Sequence, residues 1–455
     1  MEKYFTTEQV AKILQVHRFT ILKFIKKGKL KGIKLGRMYR IKESDVQEFL
    51  EERMTKTDAR EKILKTYIQS KTLSTLADHL PLSTPFTVGI DPSNICNFAC
   101  SFCPTGHPDL LKKVGRPLGK MDFGLFKQII DGMKGFPDKV KRLYLYHEGE
   151  PLLNPHIADM LAYTRKADVT ELVQMTTNGA LLKPKMADAL LDADFDLIRI
   201  SVEHVDDDGY HHLTGRHISY EQIRRNVEYL FNERDRRGSR LRIHPKIMDT
   251  NLTPEQKEKF VRDFQPIGDL LNIQKLGKMP ASEGIDFTLG TNPEFSSSGA
   301  PFKSDRIVCP HPFYVMVVKW SGEVVTCSEE WRWENIVGDA KHQTLPEIWN
   351  SEPLQQFRLT HLRGDRDSIS HCRNCPSVGA FPAENDIDDV REPLLEFYSR
   401  PLAGDGNESF SQGIVGSQGH TETPQVTAPG ERLMRSMPRV KLSPSAFLPP
   451  KGTQE

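Results

Sequence analysis

Six short apolar runs alternate with amphipathic stretches between residues 86 and 274, and this alternation constrains the fold more than any other feature. The runs fall at 86–90, 142–146, 171–175, 197–202, 241–247 and 271–274. Helical periodicity fills the intervals at 121–133, 157–167, 183–191, 220–234 and 254–264. Strands separated by helices pair in parallel through right-handed crossovers, so the fold class is α/β around a parallel sheet. At 455 residues the chain exceeds one ordinary core, and two or three domains are expected.

Seven cysteines stand at 96, 100, 103, 309, 327, 372 and 375. Their odd number and clustering argue against a disulfide framework and for metal binding in a reducing compartment, with the cytoplasm as default. The first three share one loop directly after the first apolar run. Three thiolates on a short loop can hold three irons of a 4Fe–4S cube, and the fourth iron is then left for a small molecule. A fully ligated cluster takes four cysteines. Zinc or free thiols are the alternatives, but zinc takes four ligands or three plus water, and this spacing does not suit a zinc ribbon. The other four cysteines form a second group. Cys309 and Cys327 flank a hairpin that turns at Ser321-Gly322, and Cys372-Arg373-Asn374-Cys375 supplies the remaining pair. Four thiolates suit a structural zinc or a closed cluster, and spacing alone does not separate the two.

Lys and Arg number 62 against 61 Asp and Glu, but residues 1–42 hold 12 basic and only 2 acidic side chains. That block is a nucleic-acid footprint or a solvated face. No apolar stretch reaches 18 residues, so no membrane span is expected. The expected units are 1–54, a linker helix over 55–82, a core over 83–285, a cysteine module over 300–390, and a Gly-, Ser- and Pro-rich tail over 402–455 that reads as disordered.

The run Cys96-x3-Cys100-x2-Cys103 after an apolar strand resembles the signature of the radical S-adenosylmethionine (SAM) superfamily. That resemblance implies a partial (β/α)6 barrel with the chemistry at the C-terminal strand ends. It also implies a 4Fe–4S cluster on Cys96, Cys100 and Cys103, SAM on its open iron, and an electron donor such as flavodoxin or ferredoxin. His147-Glu148-Gly149-Glu150-Pro151 resembles the family's Gly-Gly-Glu-Pro element, with Glu148 in place of the first glycine. The resemblance makes Gly149, Glu150 and Pro151 a shelf for the methionine end of SAM. It further implies cofactor contacts from Phe102, Asn178, Ser201 and Arg216. Glu203 and His204 end the fourth strand, where hydrogen bonding outweighs catalysis, and no acid or base is assigned.

Cys309-x12-Gly322-x4-Cys327 resembles the opening of a SPASM or twitch module, which implies one auxiliary 4Fe–4S cluster on Cys309, Cys327, Cys372 and Cys375. The module is similar to that of an aminocyclitol dehydrogenase that oxidises a secondary alcohol. Residues 1–54 resemble an excisionase/MerR-type winged helix-turn-helix. This implies base contacts from Arg18, Thr20 and Lys23 and phosphate contacts from Arg37 and Arg40. The same scaffold also docks leader peptides on radical enzymes. The expected function is hydrogen-atom abstraction by a 5′-deoxyadenosyl radical in a net oxidation of an alcohol or carbohydrate. Maturation of a ribosomal peptide and DNA-binding redox sensing are the alternatives.

Overall fold

The computed structural model describes residues 75–401 apart from 277–283, 292–302, 304 and 374, together with parts of 4–49. The chain divides into an N-terminal unit ending at residue 73 and a larger unit beginning at 74.

In the N-terminal unit, Tyr4–Thr6 (β1), Ile33–Leu35 (β2) and Met38–Lys42 (β3) form an antiparallel sheet in the order β1-β3-β2. Val10, Ile21, Leu30, Ile41, Val46 and Phe49 bury a small core beneath it. β2 and β3 pair as an antiparallel hairpin, as a winged helix-turn-helix requires of its wing. Arg40 lies on β3, where its guanidinium donates to the Tyr39 carbonyl (3.3 Å). Arg18, Thr20, Lys23 and Arg37 lie outside the described residues, as does the tail over 402–455. Most of the expected linker helix also lies outside them. Its described end is a single 3-10 turn at Leu76–His79, closed by Thr75 and Asp78 acting on each other's backbone.

The larger unit is built on a parallel run of strands: Thr87–Ile90 (β4), Arg142–Leu145 (β5), Val173–Thr177 (β6), Leu197–Val202 (β7), Arg242–Asp249 (β8) and Asn272–Lys275 (β9). Pro108–Lys113 (α1) and Phe123–Gly132 (α2) lie between β4 and β5. Then come Ile157–Ala167 (α3), Pro184–Asp192 (α4), Asp207–Thr214 (α5), Tyr220–Arg237 (α6) and Pro254–Phe264 (α7). Local chemistry sets the boundaries. Asp122 caps α2 by accepting from Gly124 and Leu125, Pro254 opens α7 behind a Thr253–Gln256 capping box, and Gly238 closes α6 in the left-handed conformation. Burial alternates along β7. Ile198, Ile200 and Val202 join the main core with Phe126, Leu161, Leu190 and Leu230, while Arg199 and Ser201 face the opposite side. The six expected strands all form, each within about two residues of its anticipated limits.

The sheet does not stop at six strands. Val315–Val318 (β10) pairs in parallel with β4, from Val315 opposite Thr87 to Val318 opposite Ile90. Glu323–Val325 (β11) and Gly338–Asp339 (β12) extend it antiparallel, giving nine strands in the order β12-β11-β10-β4-β5-β6-β7-β8-β9. The C-terminal cysteine hairpin is thus fused to the barrel's first strand. Leu345–Trp349 (α8), Glu352–Leu362 (α9) and Arg391–Tyr398 (α10) complete the unit. No described helix is long and apolar enough to cross a membrane.

Candidate functional site: two cysteine centres on one sheet

The loop bearing Cys96, Cys100 and Cys103 leaves β4 and is held along its length by backbone donors. Glu150 N–H donates to Ile95 O (2.9 Å), Ala99 N–H to Thr214 O (2.8 Å) and Ser101 N–H to Leu213 O (3.0 Å). Arg216 Nε donates to Asn97 O (3.2 Å), and the Asn178 amide donates to Asn97 Oδ1 (2.8 Å) while lying 3.9 Å from Cys96 Sγ. The ends of β5, β6 and α5 therefore converge on one loop. A short irregular segment needs such external partners, because it cannot satisfy its own backbone groups.

Gly149 is required by close approach. A Cβ there would sit 2.3 Å from Ser93 O and 2.5 Å from Ile95 O, so no side chain fits without moving backbone. Glu150 turns its carboxylate away from the loop to accept from Thr177 Oγ1 (2.6 Å), Asn178 N–H (2.8 Å) and Leu152 N–H (3.0 Å). Burial raises its carboxyl to about 7 against the pull of those donors. The motif's glutamate thus ties β5 to β6, and its glycine admits the cysteine loop. Pro151 opens the 3-10 turn that follows. Phe98 is buried edge-on against Tyr210, 6.4 Å between ring centres, whereas Phe102 stays half-buried on the loop. Ser201 faces the side of β7 opposite the helices.

All seven cysteines are free and half-buried. Burial pushes Cys96 up to about 12 and raises Cys100 and Cys103 as well. Neutral, buried thiols in this setting become ligands when a cationic group arrives to balance the thiolates. The other four cysteines line one cavity, together with His361 and Arg366. A tight turn carrying Cys375 N–H to Cys372 O (3.1 Å) holds one pair, and Cys372 Sγ lies 3.8 Å from His361 Nε2. Among the described residues, no three cysteine sulfurs lie within 4.8 Å of one another. Sulfurs around one zinc stand closer than that, because each Zn–S bond is about 2.3 Å. Sets of three and four free thiols are a donor set that fits iron–sulfur chemistry.

Glu148 has an unanticipated role. Its carboxylate receives Lys319 Nζ (2.5 Å), Trp333 Nε1 (2.9 Å) and Asn94 Nδ2 (3.3 Å), with Arg116 at 3.7 Å. Lys319, fully buried, also donates to the Glu330 carbonyl. Burial pushes the Glu148 carboxyl up, but Lys319 and then Arg116 outweigh it and hold it below its usual value. Neighbouring Asp91 is fully buried, and burial followed by the charge of Glu148 raises it to about 7 against the pull of Lys319, Arg116 and the Glu148 backbone N–H. Asp91, His147 and Glu148 approach one another closely enough to hold a cation, yet the Lys319 ammonium already occupies that place. This network joins the barrel to the segment after Cys327.

Residues 90–243 match the radical SAM superfamily, residues 309–376 match an iron-sulfur cluster-binding domain of the SPASM type, and residues 4–54 match a helix-turn-helix domain. The chain is a radical SAM enzyme with a SPASM domain and an N-terminal helix-turn-helix, and its cofactors are a SAM-binding 4Fe–4S cluster, an auxiliary cluster and SAM. It is 24% identical over 296 residues to the tungsten-containing aldehyde ferredoxin oxidoreductase cofactor-modifying protein of Pyrococcus furiosus, covering 58% of this chain and 80% of that one. It is 21% identical over 297 residues to the S-adenosyl-L-methionine-dependent 2-deoxy-scyllo-inosamine dehydrogenase of Niallia circulans, covering 65% and 95%. Among solved structures, Streptococcus suis SuiB bound to S-adenosylmethionine superposes with a TM-score of 0.48 at 15% identity, over 84% of this chain and 92% of that one.

Proposed function

We propose that Cys96, Cys100 and Cys103 hold the SAM-binding cluster, that Cys309, Cys327, Cys372 and Cys375 close around the auxiliary one, and that the enzyme oxidises a hydroxylated small molecule. The partition of seven cysteines into a pinned set of three and a cavity-lining set of four carries this reading. When bound, these groups supply a 5′-deoxyadenosyl radical that takes a hydrogen atom from an unreactive C–H bond, and an acceptor for the electron left behind. The chain's own task is to position and to exclude water. Gly149 brings the β5 end against the cysteine loop, Asn178 and Arg216 hold the Asn97 peptide, and Ser201, Phe102 and Pro151 line the approach for SAM. The 2-deoxy-scyllo-inosamine dehydrogenase likeness supports an oxidation.

Anaerobically reconstituted protein should carry about eight irons per chain, and Cys375→Ala about four, from two cubanes in one and a single cubane in the other. The variant should still release 5′-deoxyadenosine from SAM under dithionite. Loss of both clusters together would overturn the assignment of separate sites. Across a panel of polyols, the wild-type product should be two hydrogens lighter than its substrate, with one 5′-deoxyadenosine formed per product. A product of unchanged mass would refute oxidation.

A second reading concerns the N-terminal unit. Its helix-turn-helix match and the basic skew of residues 1–42 favour a DNA or leader-peptide partner there.

A further inference from the structure

The face of the sheet turned away from the helices is chemically divided. Near β4, β5 and β10 it is apolar and aromatic, built from Tyr144, Val315, Val317 and Val325 with Tyr146 beside them. Along β7 and β8 it is cationic. The register sets Arg199 opposite His244 and Ser201 opposite Lys246, and Thr176 of β6 stands opposite Arg199. Directly opposed residues of neighbouring strands project to the same side. The alternate positions Ile198, Ile200, Ile243 and Ile247 fill the helix-side core, which fixes the direction of the polar row.

Among the described residues neither Arg199 nor Lys246 makes a hydrogen bond or an ion pair, and Arg199 Nε is buried without a partner, as is Thr176 Oγ1. Glu203 is the acidic group that acts on Lys246, and its own Oε2 is buried and unpartnered. Glu203 acts through space on Cys96 and Cys100 as well as on Lys246. Burial, and then the charge of Arg199, lower Lys246 to about 8. Two cations set diagonally across neighbouring strands in a half-buried wall are costly unless an anion joins them. Arg199 is also two residues, about 6–7 Å, farther from the cysteine loop than Ser201 along β7.

We propose that Arg199 and Lys246 bind an oxyanion of the substrate, a phosphate or a carboxylate, and so orient a hydroxylated, acidic small molecule with its far end toward the cysteine loop. This rests on the oxidation reading above and narrows its substrate to anionic alcohols. An arginine fork and a lysine point charge are the pairing that suits such a group, and Thr176 Oγ1 offers a further donor.

The test uses reconstituted holoenzyme with SAM bound, titrated calorimetrically with inorganic phosphate in one arm and succinate in the other. One of the two should bind with a dissociation constant of about 1 mM or tighter. The tighter arm tells phosphate ester from carboxylate. Arg199→Gln and Lys246→Met should each weaken that binding at least about tenfold, the loss of one charge-assisted contact. Lys246→Arg, which keeps the charge, should retain it. Binding of neither probe, or equal binding to all variants, would overturn the proposal. So would a parallel fall in SAM affinity in Arg199→Gln and Lys246→Met, which would give the cations to the cofactor's own carboxylate. A wild-type protein unable to cleave SAM would instead refute the underlying reading.

Discussion

Cys100→Ala is expected to lower 5′-deoxyadenosine formation at least about a hundredfold, because it removes one of the three sulfurs proposed to hold the reactive cluster. The loss should be chemical and not conformational. The flanking peptides stay anchored through Ala99 N–H to Thr214 O and Ser101 N–H to Leu213 O, bonds the substitution does not touch. The thiol is half-buried and in no disulfide. A thermal melt should therefore shift by no more than an ordinary small-side-chain change, about 1 kcal/mol. Activity near wild type would remove Cys100 from the site. Iron analysis distinguishes the reasons for any loss, since the auxiliary cubane, about four irons, should survive.

Lys319→Met should produce the largest loss of stability. Lys319 and Glu148 have side-chain exposures of 0% and 3%, so their pairing is unscreened by solvent. Removing one partner leaves a buried carboxylate without its principal counter-ion, at a cost of about 3–5 kcal/mol. That is a large fraction of the net stability of a typical domain, about 5–15 kcal/mol. Arg116 at 3.7 Å and Trp333 at 2.9 Å remain, which places the expected value toward the lower end. The double variant Glu148→Met/Lys319→Met should recover much of the loss, because an apolar pair has no charge to strand. Chemical denaturation measures both. A single variant as stable as wild type would mean that the network contributes little to joining β10 to the barrel.

The strand–helix alternation and the cysteine loop were readable from residues because both are local patterns. Period-two burial in β7 and the Thr253-Pro254 start of α7 lie within one short window. The pairing of β10 with β4 was not readable, since Val315 and Thr87 are far apart in the chain and parallel register leaves no mark in either strand. For the same reason Glu148 stood out only as a departure from a glycine position. Its partners Lys319 and Trp333 lie 171 and 185 residues further along the chain. A lysine closing the apolar run 315–318 was the one available signal, as a buried lysine demands an acid. Glu150 follows the end of β5, and its carboxylate accepts from Thr177 and Asn178, partners that its motif does not reveal. Arg199 and Lys246 were overlooked because each looks like an ordinary outward charge until register sets their strands side by side.

The most direct test of the central claim is electron paramagnetic resonance of the reduced, anaerobically reconstituted Cys375→Ala protein, in which the Cys96/Cys100/Cys103 cubane is expected to stand alone. Adding SAM should shift its signal, because the sulfonium compound binds the iron that no cysteine holds. A cubane signal indifferent to SAM, or no cubane at all, would contradict the account.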